Sequence, residues 1–169
     1  MLEEAGYVEF VDARWSALYR LAYLLTASRS TAQELLERVL TRTYLSWPRV
    51  RGLADPDAYV RKVLVNAVVS QRRPEGWDSE PPGGPLEMPV DRIGSPMLDD
   101  ELLWPLVCAL PAPQRAVVVL RYYEHASDAE IATLLGCARG TVESHAAKAI
   151  GALRRGLASV GTRQPRRVG

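Results

Sequence analysis

The 169-residue sequence has little of several things, and each scarcity excludes something. Cysteine occurs twice, at Cys108 and Cys137, so at most one disulfide is available and a disulfide-built scaffold is ruled out. Histidine also occurs twice. Successive members of the set Cys108, His125, Cys137 and His145 lie 17, 12 and 8 residues apart, whereas structural zinc ligands come in pairs about two to four residues apart. No metal or other cofactor is expected. Gly83-Gly84 is flanked by prolines and acids, which repel phosphate, so no phosphate-cradling loop is present. Asp99-Asp100-Glu101 is a carboxylate cluster, but it stands where a helix should begin and suits the helix dipole. With no catalytic grouping in view, an enzyme is not expected. The longest mostly apolar stretch, Leu102 to Leu110, is too short to cross a bilayer and contains Pro105. The opening Met1-Leu2-Glu3-Glu4 is acidic where a signal peptide would be basic. These features lead to the expectation of a soluble, cytoplasmic protein with no membrane insertion. Alternation of period two is missing throughout, which argues against strands.

What is present is an ordinary globular composition, 47% hydrophobic and 24% charged, with a net charge of only +1. The small net charge hides a pattern. Residues 1–73 carry 11 basic and 8 acidic side chains, residues 74–97 carry 1 and 5, and residues 98–169 carry 9 and 7. Six of the 12 prolines fall between Pro74 and Met97, a density that forbids a helix or a central strand. That stretch reads as an acidic linker. The expected organisation is therefore a helical domain over 1–73, the linker over 74–97, a second helical domain over 98–161, and a disordered basic tail over 162–169. The fold class is all-α, with two small domains.

In the first domain Val11, Trp15, Leu18, Ala22 and Leu25 recur at helical spacing. Ser30 or Thr31 is the expected cap of a second helix, whose apolar face is Leu36, Leu40, Tyr44 and Trp47 and whose end is Pro48. A third helix starts near Pro56, a residue favoured in a first turn, and carries Tyr59, Val60, Val63, Leu64 and Ala67. In the second domain one helix covers about 99–109 and another follows Leu110-Pro111-Ala112-Pro113. A third begins at Ser127, where Ser127 and Glu130 have the spacing of a capping box, and stops at Gly136. A last helix runs from about Gly140 to Leu157. The pair Asp128–Leu135 and Gly140–Leu157 around Gly136 is a helix-turn-helix pattern. Ile131, Leu134, Leu135, Val142 and Ile150 would lock the two helices, and Arg139, Thr141, Glu143, Ser144 and His145 would project outwards. Such a helix fits the major groove of DNA. The bland alternative is a helical hairpin in a core.

Beyond this pattern, the chain resembles bacterial sigma factors of the extracytoplasmic-function type, most closely an actinobacterial branch. The likeness runs through Arg20–Thr26, Ala32–Trp47 and Asp57–Asn66 in the first domain. It continues through Leu110–Glu124, Ala129–Ala132, Leu135–Cys137 and Gly140–Val142 in the second. The resemblance implies binding to core RNA polymerase through Glu34, Leu35, Glu37, Arg38 and Thr41. It implies contact with the promoter's minus-ten element through Trp47, Arg49, Arg51, Arg61, Lys62, Asn66, Arg72 and Arg73. Trp47 would stack on an unpaired base. The minus-thirty-five element would be read by Arg139, Gly140, Thr141, Glu143, Ser144, His145 and Lys148, and the acidic linker would lie in the polymerase's RNA path. An anti-sigma factor is a further implied partner. The chain departs from the family pattern at Glu37 where Gln is usual, at Ala138 where Ser is usual, at Glu143 where Lys is usual, and at the end of the third helix, Val68-Val69-Ser70-Gln71-Arg72-Arg73, which is less basic than usual. They leave open two other readings, a sigma-like adaptor for a protein partner and a free-standing helix-turn-helix regulator.

Overall fold

The computed structural model describes residues 2–69 and 101–161, all helix and connecting turn. The expected linker 74–97 and tail 162–169 lie outside the described residues, as do Arg72 and Arg73. The chain divides into two compact units, Met1–Asp91 and Arg92–Gly169.

In the first unit three long helices, α1 (Leu2–Thr26), α2 (Arg29–Leu45) and α4 (Pro56–Val69), pack on one another, with the single turn α3 (Trp47–Val50) between α2 and α4. The core is mainly aliphatic: Leu18, Leu21, Leu24 and Leu25 of α1, Leu36, Val39 and Leu40 of α2 and Val60, Leu64 and Val65 of α4 are buried, together with the rings of Trp15, Tyr19 and Trp47. Val11, expected on the buried face, is only half-buried. The α1–α2 corner is tight. Ala27 takes a left-handed backbone (φ 56), and the Thr26 hydroxyl donates to the Ala22 carbonyl at 2.8 Å. Ser28, not Ser30 or Thr31, caps α2: its extended backbone (φ −142, ψ 126) lets its Oγ accept from the Thr31 N–H at 3.3 Å. The second helix also ends differently from the expectation. It stops at Leu45, and Pro48 sits in the first turn of α3, where a missing N–H costs nothing. That break takes Tyr44 out of register with Trp47, so Tyr44 is exposed while Thr43 is buried, its hydroxyl donating to the Val39 carbonyl at 2.8 Å. Asp55 starts α4 by accepting from the Ala58 N–H at 2.9 Å.

The second unit comprises α5 (Leu103–Cys108), α6 (Ala112–Val118), a π-helical turn (Val119–Tyr123), α7 (Asp128–Leu135) and α8 (Arg139–Gly161). The helix expected at about 99–109 is shorter: it covers Leu103–Cys108, with Glu101, Leu102 and Ala109 in turns. Val117, Val119, Leu120, Ile131, Val142 and Ala149 are fully buried. Arg115 stitches the turn before α6 by donating to the carbonyls of Cys108 (2.8 Å) and Leu110 (3.3 Å). Near the end of α8, Gly156 lies so close to α5 that a Cβ there would stand 2.6 Å from Leu106 Cδ2.

A left-handed alanine costs about 1–2 kcal/mol relative to the right-handed region. Ala27→Gly is therefore expected to raise stability by about 1 kcal/mol. The check is a higher urea midpoint at unchanged slope.

Candidate functional site

The helix-turn-helix forms as the spacing predicts. Ser127 accepts from the Glu130 N–H at 3.3 Å, and the Glu130 carboxylate accepts from the Ser127 N–H and hydroxyl, each at 2.7 Å. Both halves of the capping box are present. Gly136 ends α7 in the left-handed region (φ 63, ψ 36), a conformation that glycine adopts without Cβ strain. Ile131 of α7 and Val142, Ala146 and Ala149 of α8 are buried, with Leu134, Leu135 and Ile150 half-buried. The opposite stripe of α8 is open: Arg139, Gly140, Thr141, Glu143, Ser144 and Lys148 are all exposed. Arg139 Nε and Glu143 Oε1 are 3.5 Å apart on that stripe. His145 differs from the expectation. It lies three residues after Val142, on the flank of the inner stripe, and is half-buried with Nδ1 enclosed and lacking a partner among the described residues.

The lead into α7 holds residues that sequence reasoning did not single out. Arg121 grips Asp128 with a fork: Nε to Oδ1 at 3.0 Å, and Nη2 to Oδ1 at 2.7 Å and to Oδ2 at 2.6 Å. Hydrogen bonding to Asp128 pushes the guanidinium pKa above its ordinary value. Opposite charges seven residues apart are the available sequence signal, but the π-helical turn and the left-handed His125 (φ 54) between them alter the spacing at which they meet. The N-terminus of α8 is less well tied. The Ala138 carbonyl accepts from Thr141 N–H (3.0 Å) and Val142 N–H (3.3 Å), which makes Ala138 the cap residue with no side-chain oxygen to offer.

On α2, Glu34 is exposed and Glu37, Arg38 and Thr41 are half-buried. Glu37 Oε1 accepts from Gln33 Nε2 at 3.0 Å. Leu35 is a correction: at 8% exposure it belongs to the core, because its register places it beside Leu36 and Val39. The residue that extends the outer stripe of 34, 38 and 41 by one more turn is Leu45, 77% exposed. It was missed because an apolar residue in a helix reads as core.

Around α3 and α4, Arg49, Arg51 and Lys62 are exposed and Arg61 and Asn66 half-buried. Arg49 Nη2 donates to the Tyr59 hydroxyl at 3.3 Å. Asp57 is near both Arg14 (3.7 Å) and Arg61 (4.0 Å), which offsets part of the positive charge. Trp47 is the second correction. At 6% exposure it has no face to offer a base. Tyr7 meets it edge-on at 5.4 Å and Phe10 lies at 5.2 Å. The Tyr7 hydroxyl donates to the Leu40 carbonyl at 2.7 Å, and burial pushes its pKa up to about 12. The aromatic ring left beside the basic loop is Tyr59, half-buried at the start of α4. Among the described residues no group of three or more His, Cys, Asp and Glu could hold a metal, and no helix is long and apolar enough to cross a membrane.

Residues 101–153, from before α5 into the second half of α8, match the family described as Sigma-70, region 4. An RNA polymerase sigma-E factor of Streptomyces coelicolor is 35% identical over 157 residues, covering 93% of this chain and 89% of that protein. The extracytoplasmic-function (ECF) RNA polymerase sigma factor SigL of Mycobacterium tuberculosis is 30% identical over 156 residues, covering 89% and 88%. This chain belongs to the ECF sigma factors. The fold is also that of a solved sigma factor RpoE, from a complex with the anti-sigma factor NepR from Bartonella quintana, with a TM-score of 0.64. That structure is 24% identical and covers 90% of this chain and 96% of its own.

Two outcomes are expected of the sigma factor's helix-turn-helix. Ala138→Ser supplies the missing cap oxygen and should add about 1 kcal/mol of stability, read from the urea midpoint. The second concerns acid. Hydrogen bonds from the Ser127 hydroxyl, then from its backbone N–H, hold Glu130 below its ordinary pKa of 4.5. A lowered carboxylate pKa contributes stability that is present above 4.5 and lost as pH falls through the lowered value. Stability measured against pH should therefore decline on acidification below 4.5, and Ser127→Ala should flatten that part of the curve.

Proposed function

We propose that this chain is the promoter-specificity subunit of a bacterial RNA polymerase, acting as a binding subunit with no chemistry of its own, inside the cell on the nucleoid. The observation that carries the reading is the open stripe of α8, with Arg139, Gly140, Thr141, Glu143, Ser144 and Lys148 exposed along a helix locked from behind by Ile131 and Val142. A helix so held fits the major groove, and its first turns reach base edges and phosphates. This stripe would read the minus-thirty-five element. Arg49 and Arg51 on and after α3, with Arg61, Lys62 and Asn66 along α4, would engage the minus-ten element together with Arg72 and Arg73, with Tyr59 in place of Trp47 as the accessible ring. Glu34, Glu37, Arg38, Thr41 and Leu45 on the outer side of α2 would face core polymerase. The acidic linker over 74–97 suits a basic channel built for nucleic acid. An anti-sigma factor would act by covering one of these faces.

Equilibrium binding of the full chain to core RNA polymerase tests this. Saturable binding is expected, weakened at least tenfold by Glu34→Arg combined with Leu45→Asp and left unchanged by Arg155→Glu on α8. A folded, monodisperse sample that does not bind core polymerase would overturn the reading in favour of a regulator that acts on DNA or a protein partner alone.

A further inference from the structure

Glu143 is the only acidic side chain among the 23 residues of α8, and it stands on the open stripe, one turn after Arg139. Its side chain is 58% exposed, and its carboxylate touches Arg139 Nε at 3.5 Å. An exposed pair of this kind adds little to stability, typically under about 1 kcal/mol. On a groove-entering helix the carboxylate has a larger consequence. Phosphates line the groove, so a negative group weakens attraction to DNA of any sequence. The repulsion is relieved only where the carboxylate meets a hydrogen-bond donor on a base. The major groove has two such donors, the N4 amino group of cytosine and the N6 amino group of adenine. Adenine places its acceptor N7 beside the amino group, which opposes a carboxylate; cytosine does not. The partner of cytosine is guanine, whose N7 and O6 are the preferred acceptors for an arginine. Arg139 and Glu143 thus offer donors and an acceptor side by side, and a G·C pair offers acceptors and a donor side by side.

We propose that Arg139 and Glu143 act together as a reader of a G·C pair in the upstream promoter element, Arg139 donating to guanine and Glu143 accepting from the cytosine amino group. The inference rests on the promoter-binding reading above. Glu143 then works as a filter: it gives selectivity at one position and lowers the grip of the helix on all other DNA.

The experiment uses holoenzyme assembled from core polymerase and the full chain, selecting from duplexes that keep a fixed minus-ten region and are randomised upstream. The wild type should enrich one G·C pair by ~10-fold or more over other pairs at that position. Glu143→Ala should weaken that preference, leaving the part due to Arg139, bind scrambled duplex more tightly, and show a salt dependence steeper by about one counterion. Glu143→Gln should move the preference towards A·T, because an amide pairs with both N6 and N7 of adenine; a purely structural role for Glu143 would not produce that shift. An unchanged base preference in Glu143→Ala and Glu143→Gln would overturn this inference and leave the promoter reading standing. A wild-type holoenzyme without any upstream sequence preference would overturn both.

Discussion

The packing of α7 on α8, which buries Ile131 and Val142 on either side of the left-handed Gly136, decides which side of α8 faces out. The inner stripe of α8 continues through Ala146 and Ala149, and Ala149 joins Leu110 and Val118 in a second cluster that Ala152 and Leu153 complete. One stripe therefore does two jobs, fixing α7 at its start and the preceding helices further along. Small residues make this possible: alanine at 146 and 149 and glycine at 156 let neighbouring helices come close. Given this seam, the polar residues at 139–141, 143, 144 and 148 have nowhere to go but outward. A shift of one residue would bury Glu143 and expose Val142, at the cost of an unpaired buried charge.

The first unit is built on a different constraint. Its core is mostly Leu and Val, with Trp15 and Tyr19 buried among them, and a separate group of rings, Tyr7, Phe10, Tyr44 and Trp47, packs about the start of α3. There the chain must reverse between α2 and α4 in the ten residues from 46 to 55. Rings span that gap where aliphatic side chains would leave a void, since large rings bury much area with few rotors. Trp47 is part of this packing, which is why its neighbours Arg49 and Arg51 can stand exposed on a fixed turn. Its indole N–H is buried with no partner among the described residues, a cost of about 1–3 kcal/mol that the surrounding ring contacts offset.

Periodicity made the helices of both units legible, and cap chemistry made α7 legible to the residue: Ser127, Glu130 and Gly136 each do what their type and position imply. Where reading failed, a turn had changed the register. Ser46 breaks the run from Leu36 to Trp47, so a face extrapolated across it put Tyr44 inside, while the basic residues beside Trp47 drew that buried ring into a role in base stacking. Ser28 won the cap of α2 because Ala27 accepts a left-handed backbone, a choice that an alanine does not advertise. Leu35 and His145 were misplaced by single positions, each standing at the margin of a helical stripe where a 3.6-residue period leaves the side undecided. The Arg121–Asp128 fork was invisible because a π turn is not written in any residue type.

These cases share a cause that bears on how the recognition face could vary. Rigidity is concentrated behind α8: the capping box, the Arg121 fork, the left-handed Gly136 and the buried Ile131 and Val142 all hold the corner. The face itself contributes one weak, exposed ion pair and an uncapped first turn. Substitutions on the outer stripe therefore change what the helix touches with little change in whether it folds, while substitutions behind it do the reverse. A carboxylate can replace a cation at position 143 with no structural penalty, because nothing behind the helix depends on that charge. Sequence patterns report the constrained side of such a helix well. The unconstrained side, which would set specificity, is free to depart from any pattern, and its chemistry has to be read residue by residue.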